Sequence, residues 1–431
     1  MNNATSSANA PLGRRRFLQA TVATAAASVS GIPLVHAQGN DTLRIGLIGC
    51  GGRGTGAAVN ALRADPNVRL VAMGDAFRDR LDRSLAELRR DTGIAQKIDV
   101  PRERQFTGFD NYQQVLGSGV DVVLLCTPPH FRPIHIEAAV RAGKHIFCEK
   151  PVAADSVGVR KVMAACRDAQ QRRLSVVPGL CWRYHGGMRE TFRRIHDGAV
   201  GDITAIQCTY NTGTLWHHAR QESWSDMEFQ VRNWLYFTWL SGDFNVEQHI
   251  HSLDKMAWTM RDQTPVRCVG LGGRQVRTGP EFGHAFDHMA CIYEYANGVR
   301  GYSFCRQQAG CANEVNDFVM GTTGKVDVMA HNITGQNPWR YPAAQRRNDD
   351  MYQTEHNELF ASIRSGTPIN NGDYMCKSTL LAIMGRMACY TGQSVTWDQV
   401  ANSTEDLSPP RYDWIQLPVA PVARPGVTRQ S

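Results

Sequence analysis

Leu43-Arg44-Ile45-Gly46-Leu47-Ile48-Gly49-Cys50-Gly51-Gly52-Arg53-Gly54 decides the fold. Leu43, Ile45, Leu47 and Ile48 form the short apolar run of a buried parallel strand. The run breaks into glycines at 49, 51 and 54, a G-x-G-x-x-G spacing. Such glycines serve a tight turn, close approach of backbone to a pyrophosphate, and helix–strand packing. The helix expected next would aim its free N–H groups and positive dipole end at phosphate oxygens. A second apolar run, Val68–Met73, leads to Gly74-Asp75, with Asp75 lying 21 residues beyond Gly54. That is close to the spacing of about 20 at which a carboxylate holds an adenosine ribose 2′-hydroxyl. Gly49, Gly51, Gly52, Arg53, Gly54 and Asp75 are therefore expected to bind a dinucleotide. An anionic Asp75 repels a 2′-phosphate, which favours NAD over NADP.

Towards the amino terminus, Arg14-Arg15-Arg16-Phe17-Leu18-Gln19 is a twin-arginine pattern followed by an alanine-rich apolar stretch to Val35. Val35-His36-Ala37 is the expected cleavage site. The stretch is too short and too weakly apolar for a stable membrane span. The reading is a leader that uses the twin-arginine export machinery and sends the folded protein to the periplasm.

The chain has 431 residues, 42% apolar and 20% charged, enough for two ordinary domains. Its net charge of +7 includes the leader arginines, and no basic stripe with interleaved aromatics marks a nucleic-acid partner. Most of the twelve cysteines sit inside apolar runs such as Leu124–Pro128 and Ile146–Pro151, where cysteine acts as a small buried hydrophobe. No C-x-x-C pair or zinc-like His/Cys spacing occurs, so no metal is expected.

Further along, strand-like runs at Asp121–Cys126, Lys144–Cys148 and Leu174–Pro178 alternate with helical patterns near Ile134–Gly143 and Val157–Gln171. Strands alternating with helices of this length imply a doubly wound parallel sheet of Rossmann type. After residue 178 the pattern becomes that of an α+β domain with a large, mostly antiparallel sheet. Asn297-Gly298 marks a hairpin there, and one helix is expected at about Val246–Met260. The segmentation is a leader over 1–37, a nucleotide-binding domain over 42–178, a second domain over 179–405 and an extended, proline-rich tail over 406–431.

Several motifs together resemble the glucose–fructose oxidoreductase/inositol dehydrogenase family. They are the glycine turn, Thr127-Pro128 at a strand end, Ala142–Pro151 (AGKHIFCEKP), Trp182-Arg183-Tyr184, and Ile195 followed by Gly198–Ile203. The resemblance covers nearly the whole chain beyond the leader. It implies that Thr127, Pro128, Glu149 and Lys150 face the cofactor, and that Lys150 touches both nicotinamide and substrate. It also implies a tightly bound cofactor, and a sheet that commonly forms a dimer or tetramer contact.

The family's second motif, D-x-x-x-H-x-x-D, reads here Glu247-Gln248-His249-Ile250-His251-Ser252-Leu253-Asp254. On one helix, Glu247 and His251 would share a face. Glu247 would then orient His251 as a general base, with Glu replacing Asp; His249 would face away. Arg232 and Trp234 are the sugar-contact candidates, with Tyr184, Trp182, His185, Trp216, His217 and His218 as further ones. These residues point to hydride transfer between a sugar or polyol hydroxyl and a retained nicotinamide. A second reading is a glycoside hydrolase that oxidises transiently, eliminates, hydrates and re-reduces. A third is an inactive sugar-binding protein.

Overall fold

The computed structural model describes residues 41–346 and 349–429. The leader read at 1–37 lies outside the described residues. Apolar strands β1 (Leu43–Ile48), β2 (Val68–Asp75), β3 (Gln105–Thr107), β4 (Val122–Leu125), β5 (His145–Cys148) and β6 (Val176–Pro178) build one parallel sheet. Their order is β3-β2-β1-β4-β5-β6. Helices α1 (Gly52–Ala64), α2 (Arg78–Arg90), α3 (Asn111–Gly117), α4 (Arg132–Arg141) and α5 (Ser156–Gln171) supply the crossovers. Ile45, Leu47 and Ile48 are fully buried, each adding roughly 2 kcal/mol of apolar stabilisation. The order reverses between β1 and β4, which opens a crevice at their carboxyl ends.

The second part begins with α6 (Gly186–His196), β7 (Ile203–Thr212), α7 (Asp226–Arg232), α8 (Thr238–Ser241), α9 (Phe244–Glu247) and α10 (Ile250–Thr259). Strands β8 (Arg267–Gly273), β9 (His288–Glu294), β10 (Arg300–Gln307), β11 (Glu314–Gly321), β12 (Gly324–Asp327), β13 (Asn332–Gly335) and β14 (Trp339–Arg340) follow. The chain then forms α11 (Ala343–Arg346), α12 (Met351–Ser365), α13 (Gly372–Thr391), β15 (Val395–Thr396) and α14 (Trp397–Asn402). Nine strands order as β14-β13-β12-β11-β7-β10-β9-β8-β15, antiparallel except for β7 with β10. Asn297-Gly298 turns the chain between β9 and β10 as expected, with Gly298 at φ 86°.

One expectation is corrected. The helix read at Val246–Met260 is two helices, α9 and α10, separated at Gln248-His249. The His249 N–H donates five residues back to the Phe244 carbonyl, and its side chain is buried against Ser303. A helix from beyond position 178 also meets the nucleotide domain. Helix α12 returns to it, with Gln353 bonded to Asn60 and Arg364 paired with Asp65 at 2.7 Å, while Asn370 bridges to Val176. The extended tail is docked: Leu407, Ile415 and Leu417 pack on an aromatic cluster that includes Phe77, Phe131 and Trp239. Among the described residues, no helix is long and apolar enough to cross a membrane.

Candidate active site

The glycine loop has the shape its sequence demands. Gly49 sits at φ 96°, and a Cβ there would lie 2.6 Å from the Cys126 carbonyl carbon. At Gly54 a Cβ would collide with the Gly49 carbonyl. At Gly52 it would meet nothing, and at Gly51 only a distant Arg80 nitrogen. Backbone is therefore bare on the side facing a cleft of about 790 Å³. The α1 N-terminus opens into this space, as a pyrophosphate requires. Residues 49–55, Asp75, Thr127 and Pro128 all line it.

Asp75 ends β2, and its carboxylate accepts from the Cys50 N–H at 2.7 Å and the Phe77 N–H at 2.9 Å. Burial nevertheless pushes its pKa up. Each oxygen keeps a lone pair free for a ribose hydroxyl. Arg53 pairs with Glu149 at 2.9 Å and lies over the Tyr352 ring of α12. The glycine loop, the Glu149-Lys150 loop and the returning helix are thus tied together.

At the end of β5, the Lys150 ammonium donates to the Glu247 carbonyl at 2.7 Å and to its carboxylate at 3.0 Å. Both side chains are mostly buried, 13% and 11% exposed. Arg132 donates to the Pro151 carbonyl and braces the loop from below. The Glu247 carboxylate meets Lys150 through Oε1, and the helix breaks at 248–249 between Glu247 and His251. Among the described contacts, the buried Nδ1 of His251 has no hydrogen-bond partner. Burial, then the charges of Lys150 and Lys255, hold the His251 pKa well below the usual range, so the ring is a neutral base.

His249 lies outside this group, with its Nε2 at 2.7 Å from the Ser303 hydroxyl. Tyr184 is buried, its hydroxyl accepting from Asn371 at 2.6 Å, and it takes no part in the cleft lining. Trp182 carries the Lys255 ammonium over its ring, and His185 accepts from the Met188 N–H to cap α6.

Arg232 and Trp234 do line the cleft, with Trp216 and His218, but on the β2 side. Arg232 pairs with Asp79 at 3.2 Å and Glu228 at 2.9 Å and stacks over Phe77. His217 packs on Phe282. β2 and β5 are three strand spacings apart, roughly 14 Å. Lys150, Glu247 and His251 are absent from the cleft lining. The cleft thus reaches from the glycine loop to Asp75 and the 216–234 wall, while Lys150, Glu247 and His251 gather at the end of β5 outside its lining.

Sequence reasoning passed over Arg132, Tyr210 and Lys255. Lys255 was open to detection, being four residues beyond His251 in a helical run. It forms a buried ion pair with Asp317 at 2.5 Å. Tyr210 on β7 feels the Glu247 charge, and burial foremost raises its pKa to about 12. Only the sheet register brings it there. Among the described residues, no group of three or more His, Cys, Asp or Glu is placed to hold a metal.

Residues 43–177 match the family model described as "Oxidoreductase family, NAD-binding Rossmann fold". The matched span runs from β1 into β6, the strands of the parallel sheet. The chain is 25% identical over 202 residues to the 2,7-anhydro-N-acetylneuraminate hydratase of Escherichia coli (strain K12), covering 46% of this chain and 50% of that protein. The chain therefore spans only half the length of that relative. It is 24% identical over 337 residues to the inositol 2-dehydrogenase of Rhizobium meliloti (strain 1021), covering 76% of this chain and 91% of that one. The crystal structure of aldose-aldose oxidoreductase from Caulobacter crescentus superposes with a TM-score of 0.64 at 20% identity, over 82% of this chain and 99% of that one. That likeness establishes the fold.

Proposed function

We propose that the chain is an oxidoreductase acting on a secondary hydroxyl of a sugar or polyol, with a retained nicotinamide dinucleotide, NAD in preference to NADP. One observation carries the reading: Lys150, gripped by Glu247 near a neutral His251, stands at the end of β5, two strand positions from the β1 end that carries the bare glycine cradle. When bound, the nicotinamide supplies a reversible two-electron acceptor at carbon. His251 takes the proton of the substrate hydroxyl at a ring nitrogen. The Lys150 ammonium donates to the same oxygen and stabilises its developing charge. Glu247 holds the ammonium in place through two acceptors, and Arg132 fixes the loop that carries Lys150.

We further propose export of the folded protein to the periplasm by the twin-arginine route. Free dinucleotide is scarce there, which is why retention and regeneration in place fit the reading. Association of two copies through the outer face of the antiparallel sheet is also proposed. Leu271 and Phe304, 67% and 41% exposed, flank Ala290 in one cross-strand row of that face.

The hydratase relative supports a second reading, a glycoside hydrolase in which transient oxidation acidifies a neighbouring C–H, a leaving group is eliminated, water adds, and the hydride held by the cofactor is returned to the ketone. One experiment separates the two. The purified protein is assayed for bound dinucleotide by mass spectrometry, then mixed with inositols, aldoses and aryl glycosides while the reduced-nicotinamide absorbance is followed. Lasting reduction supports the oxidoreductase. Aglycone release without net reduction supports the second reading. Binding of sugar with neither outcome leaves only a binding protein.

A further inference from the structure

The tail has a position that neither its composition nor the chemistry above explains. From Tyr412 to Leu417 it crosses the Rossmann domain at the loops after β2, β3 and β4. The Tyr412 hydroxyl is 2.8 Å from His130 Nε2, just beyond β4. The Trp414 ring centre lies 4.6 Å from that of Phe109 and 5.2 Å from that of Phe77. Both phenylalanines line the cleft on their other side.

The same segment also grips α7. The Met227 N–H donates to the Ile415 carbonyl at 3.1 Å, and Gln230 donates to the Leu417 carbonyl at 2.6 Å. The Leu417 N–H in turn donates to Asp226 at 3.0 Å. Helix α7 ends in Arg232, which belongs to the cleft wall. Six residues of tail therefore fasten the wall built from 216–234 to the loops after β2, β3 and β4. The fastening is shallow: Tyr412 and Trp414 remain 38% and 39% exposed. Such a contact holds its place by few buried atoms and opens more easily than a core.

We propose that residues 412–417 are a clasp on the dinucleotide site, and that its opening sets how fast the adenosine end enters and leaves. The proposal rests on the reading of the cleft as a dinucleotide site. It assigns Tyr412 and Trp414 as positioning residues that act through Phe77, Phe109 and α7. It also accounts for retention without a covalent link.

The test uses the full chain and NADH, whose fluorescence reports binding. Association and release are followed by stopped flow for the wild type, Trp414→Ala and the milder Tyr412→Phe, with circular dichroism confirming the fold. Release is expected to accelerate about tenfold in Trp414→Ala, with association faster as well, because a gate slows both directions. Faster release with unchanged association would make the tail a simple contact and overturn the clasp. Rates within about twofold of wild type in either folded variant would overturn it too. Resident nucleotide is first removed and its absence checked by mass spectrometry; a refolded, nucleotide-free wild type that takes up no NADH would instead refute the dinucleotide reading on which the clasp stands.

Discussion

Removing the Lys150 ammonium tests the geometry at the end of β5 most directly. In Lys150→Met the substitute fills similar space but leaves the Glu247 carboxylate, 11% exposed, with no cation. Stranding one member of a buried pair costs about 3–5 kcal/mol, and the slight exposure here points to the lower end, about 3. Replacing both members, as Lys150→Met with Glu247→Gln, removes the stranded charge and is expected to restore most of that loss. Loss of one donor to the reacting oxygen is expected to slow single-turnover reduction by about 10²–10³-fold in both variants. NADH affinity should stay near wild type, since the glycine cradle follows β1, two strand spacings or roughly 10 Å from β5, and Asp75 ends β2, one spacing further. Urea unfolding followed by circular dichroism reads the first effect and stopped-flow absorbance the second. A single variant as stable as wild type, or a double variant no more stable than the single, would refute the pairing argument.

Three further outcomes follow from the geometry. Burial pushes the His130, His145 and His284 pKa values down to about 4 and those of His135, His249 and His356 to about 3. Each imidazole binds its proton more weakly folded than unfolded, so its stabilising contribution is full above about pH 6.5 and is lost as pH falls towards 3–4. Denaturant titrations at stepped pH should show a steep decline below pH 6.5, each site adding up to about 1.4 kcal/mol per pH unit; a flat profile would contradict the burial. Gly49→Ala, forced to φ 96° against Cys126, should destabilise by about 2 kcal/mol or more, whereas Gly52→Ala should fold normally and weaken NADH binding in calorimetry. Trp234→Ala should weaken NADH binding and leave the sugar KM within about twofold, because its ring lies on the β2 wall; the reverse pattern would return it to the substrate site.

What the sequence disclosed was what local chain chemistry determines. Strand, glycine turn and Asp75 are contiguous patterns whose geometry follows from backbone sterics, and the Glu149-Lys150-Pro151 loop sits where a buried strand ends. Glu247 was singled out, but its contact with Lys150 was not. That contact depends on a break between α9 and α10 that an unbroken helical pattern conceals. That break follows from His249 being drawn into the core towards Ser303, a contact between residues 54 positions apart. Arg232 and Trp234 were read as sugar contacts, yet an aromatic run carries no sign of which part of a cleft it will cover, and these two stand beside Phe77 and Asp79. The tail's docking and the return of α12 are tertiary facts with no local signal.

The return of α12 to α1 bears on how the molecule is made. A ribosome has released all of β1 to β6 long before Gln353 and Arg364 emerge to meet Asn60 and Asp65. At about 5–20 residues per second, the nearly complete nucleotide domain waits roughly 10–40 s for its final helix. During that interval the α1 surface stands uncovered. A truncated transcript would leave it so permanently, which makes the last fifth of the polypeptide the checkpoint for a sound first half.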